Sequence, residues 1–94
     1  MFRTAAFAAA LAFACLSSGA EAQSARCRVM DPTGTPLNIR DAPNGDVVGR
    51  VRNGALVTRL RVSEDDRGRP WAYVADRASG EPLGWVYREF IACF

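Results

Sequence analysis

Gly68-Arg69-Pro70-Trp71-Ala72-Tyr73-Val74-Ala75, a polar break over 76–82, and then Leu83-Gly84-Trp85-Val86-Tyr87 decide how this chain folds. Both runs are rich in aromatic and β-branched residues, and the Ser, Gly and Pro between them supply a loop, so the stretch predicts two antiparallel strands. Pro70 has no N–H to give a ladder and belongs at the start of its strand. Beyond Tyr87 a short turn or single helical turn at 87–89 leads to Phe90 and Ile91, which close the structure.

Working upstream, residues 63–69 read as a solvated acidic loop. Glu64, Asp65 and Asp66 are adjacent and lack the spaced ligands and glycine of a calcium loop. Asn53-Gly54 predicts a two-residue hairpin turn between strands over 46–52 and 55–62. Pairing Arg52 with Ala55 would put Val47, Val51, Leu56, Leu60 and Val62 on the inner face. The same register makes an outer face of Arg50, Arg52, Arg59 and Arg61, with Asp46 beside Arg61. It leaves Val48 and Val57 on the polar side, and a longer turn would turn those two inward. Leu37-Asn38-Ile39-Arg40 alternates as a strand with Leu37 and Ile39 inward. The turn-forming segments 31–36 and 41–45 bracket it, and Cys27-Arg28-Val29-Met30 forms a first strand.

The first residues follow a different logic. Arg3 precedes an apolar run over 5–16, and Ala20-Glu21-Ala22 is the small-x-small pattern of a signal peptidase site. Residues 1–22 are therefore expected to be a secretory signal peptide too short to span a bilayer, leaving one domain over 23–94 with no membrane span. A lipoprotein reading would use Cys15, but Phe13 sits where a lipid-modification box wants a small residue. Export sends Cys27 and Cys93 to an oxidising compartment, where a disulfide is expected between them rather than two free thiols. On the chain-entropy model a cross-link over so long a loop stabilises by about 4 kcal/mol. That rivals the ~3–5 kcal/mol a core of this size contributes.

Twelve basic residues, all arginine, stand against ten acidic ones, and the formal charge is +2. With the two signs interleaved, no nucleic-acid partner is expected. The absence of histidine and lysine removes the usual bases, imidazole metal ligands and Schiff-base amines, so no catalytic residue, metal or cofactor is assigned. The binding candidates are Trp71, Tyr73, Trp85 and Tyr87. Alternation lines two or three of them along one groove, and Asn38, Arg40 and Asp41 add polar contacts. The competing reading makes at least one tryptophan a core residue and leaves Trp85 partly buried.

The order of these motifs resembles the bacterial SH3-like domain family over residues 37–91. The family's opening Leu-Asn-Val-Arg is similar to Leu37-Asn38-Ile39-Arg40, and its proline-containing loop to residues 41–45. Its Val-x-Gly-x-Leu followed by glycine is similar to residues 47–54, and its Trp-x-x-Val to residues 71–74. Gly84-Trp85-Val86 with Phe90-Ile91 resembles its closing Gly-Trp-Val and aromatic–aliphatic pair. Two departures stand out. After the turn glycine, Val57 matches the first expected apolar position but Arg59 occupies the second, and the paired terminal cysteines are not general to the family. The resemblance implies an all-β, small SH3-like barrel of five to six short antiparallel strands that binds rather than reacts. Its implied partners are a peptidoglycan peptide of the cell wall, or another extended segment of a periplasmic protein, in a periplasmic or secreted setting. The alternative is a structural or inhibitory partner protein that docks by the arginine face or a strand edge.

Overall fold

The computed structural model describes residues 24–94, and the expected signal peptide lies outside the described residues. The fold is all-β. Its strands are β1 (Ala25–Val29), β2 (Leu37–Arg40), β3 (Val47–Val51), β4 (Leu56–Glu64), β5 (Pro70–Asp76), β6 (Pro82–Tyr87) and β7 (Ile91–Cys93). A single 3₁₀ turn at Arg88–Phe90 separates β6 from β7. The strands form one antiparallel sheet in the order β3-β2-β6-β5-β4-β1-β7. Seven strands replace the expected five or six, because residues 91–93 return to pair with β1.

The hairpin expected at Asn53-Gly54 does not form. β3 pairs with β2, while β4 lies between β1 and β5. A tight turn is present, with the Ala55 N–H donating to the Arg52 carbonyl at 3.1 Å. Of its two central residues only Gly54 has positive φ, at 87°. That is the type II pattern, and type II turns splay their flanking strands where type I′ turns hold them parallel to the sheet twist. The turn therefore carries the chain from one edge of the sheet to a strand four places along, which requires the sheet to bend strongly. Asn53 fastens the crossing: its side chain accepts from the Asp31 N–H and donates to the Thr35 carbonyl at 3.0 Å.

Because β1 and β5 set the register of β4, the inner face of the 46–62 segment also differs from expectation. Val57 points inward opposite Cys27, each only 1% exposed, whereas Val47, Leu56, Leu60 and Val62 are exposed. Val48 stays outside too, as the extra residue where the β2–β3 register shifts at the sheet edge. The buried cluster consists of Cys27, Val29, Leu37, Ile39, Val57, Ala72, Val74, Val86 and Ile91, drawn from every strand but β3.

Cys27 and Cys93 face each other on β1 and β7 and are joined by a disulfide, with Cα atoms 3.9 Å apart. Closing a loop of 66 residues corresponds to about 4 kcal/mol of chain entropy, as expected. At the centre of the sheet β2 presses closely on β6 at Gly84. A Cβ there would lie 2.8 Å from the Arg40 carbonyl oxygen, and its φ of 142° suits glycine. The glycine of the Gly-Trp-Val motif thus sets how near Arg40 comes to Trp85.

Candidate ligand-binding face

Alternation along β5 sends Ala72 and Val74 into the core and Trp71 and Tyr73 to the opposite, outer face. On β6, Gly84 and Val86 are buried while Trp85 and Tyr87 share the outer face with their β5 neighbours, Trp71 opposite Tyr87 and Tyr73 opposite Trp85. All four aromatic residues singled out in the sequence thus lie on one surface. Trp71 and Tyr87 stack with ring centroids 4.2 Å apart, and Phe90 meets Tyr87 edge-on at 5.5 Å. Tyr73 and Trp85 make a looser, tilted pair at 5.3 Å.

Guanidinium groups overlie these rings. Arg61 stands opposite Tyr73, and its guanidinium carbon sits 4.4 Å from the Tyr73 ring centroid and 5.4 Å from that of Trp85. Arg40 stands opposite Trp85, reaches to 5.7 Å from a Trp71 ring centroid, and donates from Nη1 to the Gly45 carbonyl at 2.8 Å. Arg69 lies 5.6 Å from the Tyr87 ring. One cross-strand row therefore reads Arg40, Trp85, Tyr73, Arg61 over four adjacent strands. Asn38 shares this surface and accepts a hydrogen bond from Arg50 Nε at 3.2 Å. Asp41 does not join it, because its carboxylate turns into its own loop to accept from the Asp46 N–H at 3.0 Å.

The arginine face expected on residues 50–61 is split. The β4–β5 register shifts between Arg59 and Arg61, so these two residues fall opposite Val74 on the inner side and Tyr73 on the outer side respectively. Arg59 reaches Cys93 Sγ at 4.0 Å, Arg52 lies in the turn, and Asp46, just ahead of a strand that pairs with β2, does not lie beside Arg61. A bulge reverses side-chain parity, which no strict alternation rule anticipates.

Asp65 corrects the expectation of a freely solvated acidic loop. Ser63 and Glu64 extend β4, and the next residues form a hairpin in which the Gly68 N–H donates to the Asp65 carbonyl and Gly68 has φ 76°. The inaccessible Asp65 carboxylate accepts from the N–H groups of Arg67 and Arg69 on Oδ1, and from Arg69 Nε and Trp71 Nε1, each at 2.9 Å, on Oδ2. Loss of water opposes its ionisation. The donors on Trp71, Arg69 and Arg67 outweigh that penalty and hold its carboxyl well below the usual range. Asp65 thereby fixes the indole of Trp71, which is 1% exposed and forms the floor of the face, while Tyr73, Trp85 and Tyr87 remain half-buried. The sequence reading puts Arg61 on the arginine face rather than with the aromatic residues, and Asp65 in the solvated loop. The Asp-x-x-Gly turn spacing just before Trp71 is the signal that could have found Asp65.

No family model, curated protein or solved structure matches the chain. Two concavities lie elsewhere: an open depression of about 420 Å³ lined by residues such as Met30, Pro32 and Gly54, and one of about 310 Å³ beside Leu56 and Arg77. Neither is lined by any of the four aromatic residues.

Proposed function

We propose that this chain is a non-catalytic binding module that recognises an extended peptide, from the cell wall or from another protein, on its aromatic face. One observation carries the reading: four aromatic residues converge on the outer side of β5 and β6, and three of them remain accessible. Rings held on adjacent strands lose little conformational freedom on binding, so their contact area converts efficiently into affinity. The SH3-like barrel is part of the same proposal. In its favour are the tight turn that links strands four places apart and the single cluster that strands from both halves of the sheet share. Export to the periplasm or beyond rests on the leader over residues 1–22, with the disulfide as supporting chemistry. Among the described residues no helix is long and apolar enough to cross a membrane.

Retention of the chain 23–94, disulfide intact, on insoluble peptidoglycan tests the reading. Retention should be lost in Trp85→Ala and kept in Val48→Ala at the sheet edge. Equal retention of both variants would overturn the aromatic face as the site, and hydrolysis of muropeptides by the purified chain would overturn the non-catalytic assignment. A second reading, docking of a partner protein by strand addition, is favoured by one feature. Among the described residues β1 covers β4 only at residues 56–59, which leaves Leu60 and Val62 exposed along a stretch that no described strand pairs on that side. A protein partner captured equally by the wild type and Trp85→Ala would select it.

A further inference from the structure

Building on the aromatic-face reading, we infer that the face selects an acidic extended peptide, with Arg61 and Arg40 receiving its carboxylates. The charge balance of the surface leads there. Among the described residues the one ion pair is Arg69 with Asp65, so Arg69 is neutralised in place. Arg61 is exposed, lies over two rings, and has no carboxylate or other acceptor among the described residues. Arg40 uses one N–H on the Gly45 carbonyl and has no acidic partner there either. Two positive charges therefore flank the Trp85–Tyr73 pair, and the Asp65 carboxylate that holds the Trp71 indole is occupied by other donors.

Stacking on rings also pre-orients Arg61. Its planar fork is held over Tyr73 and Trp85, where forming a bidentate contact to a carboxylate costs little further ordering. The row spans three strand spacings, about 14 Å between the Arg40 and Arg61 backbones, which equals about four residues of an extended chain. A peptide crossing the row can thus place acidic side chains about four residues apart on the two guanidinium groups. Two acceptors that border the row are already engaged or closed off. Asn38 accepts from Arg50, and the Asp65 carboxylate is inaccessible.

The probes are acetyl-Gly-Glu-Gly-Glu-Gly-Glu-amide, the same hexapeptide with Gln for Glu, and polygalacturonate, titrated into the disulfide-bonded chain 23–94 by calorimetry and tryptophan fluorescence. The acidic peptide should bind about tenfold or more tightly than its Gln counterpart, as expected for one charge-assisted contact. That preference should disappear in Arg61→Gln and persist in Arg59→Gln, whose arginine points to the other side of the sheet. Equal binding of the Glu and Gln peptides would overturn the acidic preference while leaving the aromatic face standing. Binding of neither peptide would count against both. Tighter binding of polygalacturonate than of the acidic peptide would replace the peptide with an acidic polysaccharide, and an unchanged preference in Arg61→Gln would remove Arg61 from the site.

Discussion

Trp71 and Trp85 sit one strand apart on the same face of the sheet, each paired with a tyrosine across the strand boundary, and the two pairs differ in how they are held. The Trp71–Tyr87 rings are nearly parallel at 4.2 Å, and the Trp71 indole N–H donates to a carboxylate that is itself inaccessible. The Tyr73–Trp85 rings are tilted by 54° at 5.3 Å. Among the described residues the Trp85 indole N–H has no acceptor, and only the Arg61 guanidinium covers the pair. An aromatic pair becomes structural when the protein satisfies its polar handle, and stays available when that handle is left for something else. Here one residue in a hairpin, Asp65, makes the difference.

The largest expected effect tests the locked pair. Trp71→Ala should destabilise the chain by about 3–5 kcal/mol in chemical denaturation, since it removes a large buried side chain and orphans part of the Asp65 network. Trp85→Ala should cost only about 1 kcal/mol while abolishing ligand binding. Equal losses of stability in the two variants would erase the distinction.

Asp65→Ala should fall between them in stability and should raise solvent quenching of Trp71 fluorescence. The same residue predicts a pH dependence. Its carboxyl titrates below its unfolded value, so its contribution is fully present above the ordinary carboxylate range near ~3.9 and is lost as pH falls through the depressed folded value. Denaturation midpoints of the wild type should therefore decline below about pH 4, and Asp65→Asn should lose much of that acid-side slope. The Asp76 carboxyl, lowered by the Ser79 N–H and hydroxyl, leaves a smaller slope in the variant.

The smallest effect is at the open pair. Arg61→Ala should change stability by only about 0.5–1 kcal/mol, the worth of an exposed cation–π contact, yet increase iodide quenching of Trp85. A large loss of stability would mean that Arg61 holds the sheet together rather than waiting over the rings.

Local signals in the sequence read well where the physics is local. Leu37–Arg40 is a strand as its alternation predicts, Pro70 begins β5, and Cys27 and Cys93 meet. The aromatic alternation along β5 and β6 does bring Trp71, Tyr73, Trp85 and Tyr87 to one surface. What the sequence concealed is non-local. Asn53-Gly54 announces a turn but not which strands it joins, and the twist of that turn sent β3 and β4 to different neighbours. The register shift near Leu60 placed Arg59 and Arg61 on opposite sides, although they are two residues apart. Asp65 looked like one of three equivalent acids because hydrogen-bond saturation depends on where Trp71 arrives.

The sulfur bridge between β1 and β7 also governs how the domain bears load. A pull applied near Ala25 and Phe94 runs through Cys27 and Cys93 and bypasses the chain between them, a sequence separation of 66. β2 to β6, with the rings they carry, lie off that line of force. Tethering this domain to a surface by either end would leave its aromatic face mechanically unstrained.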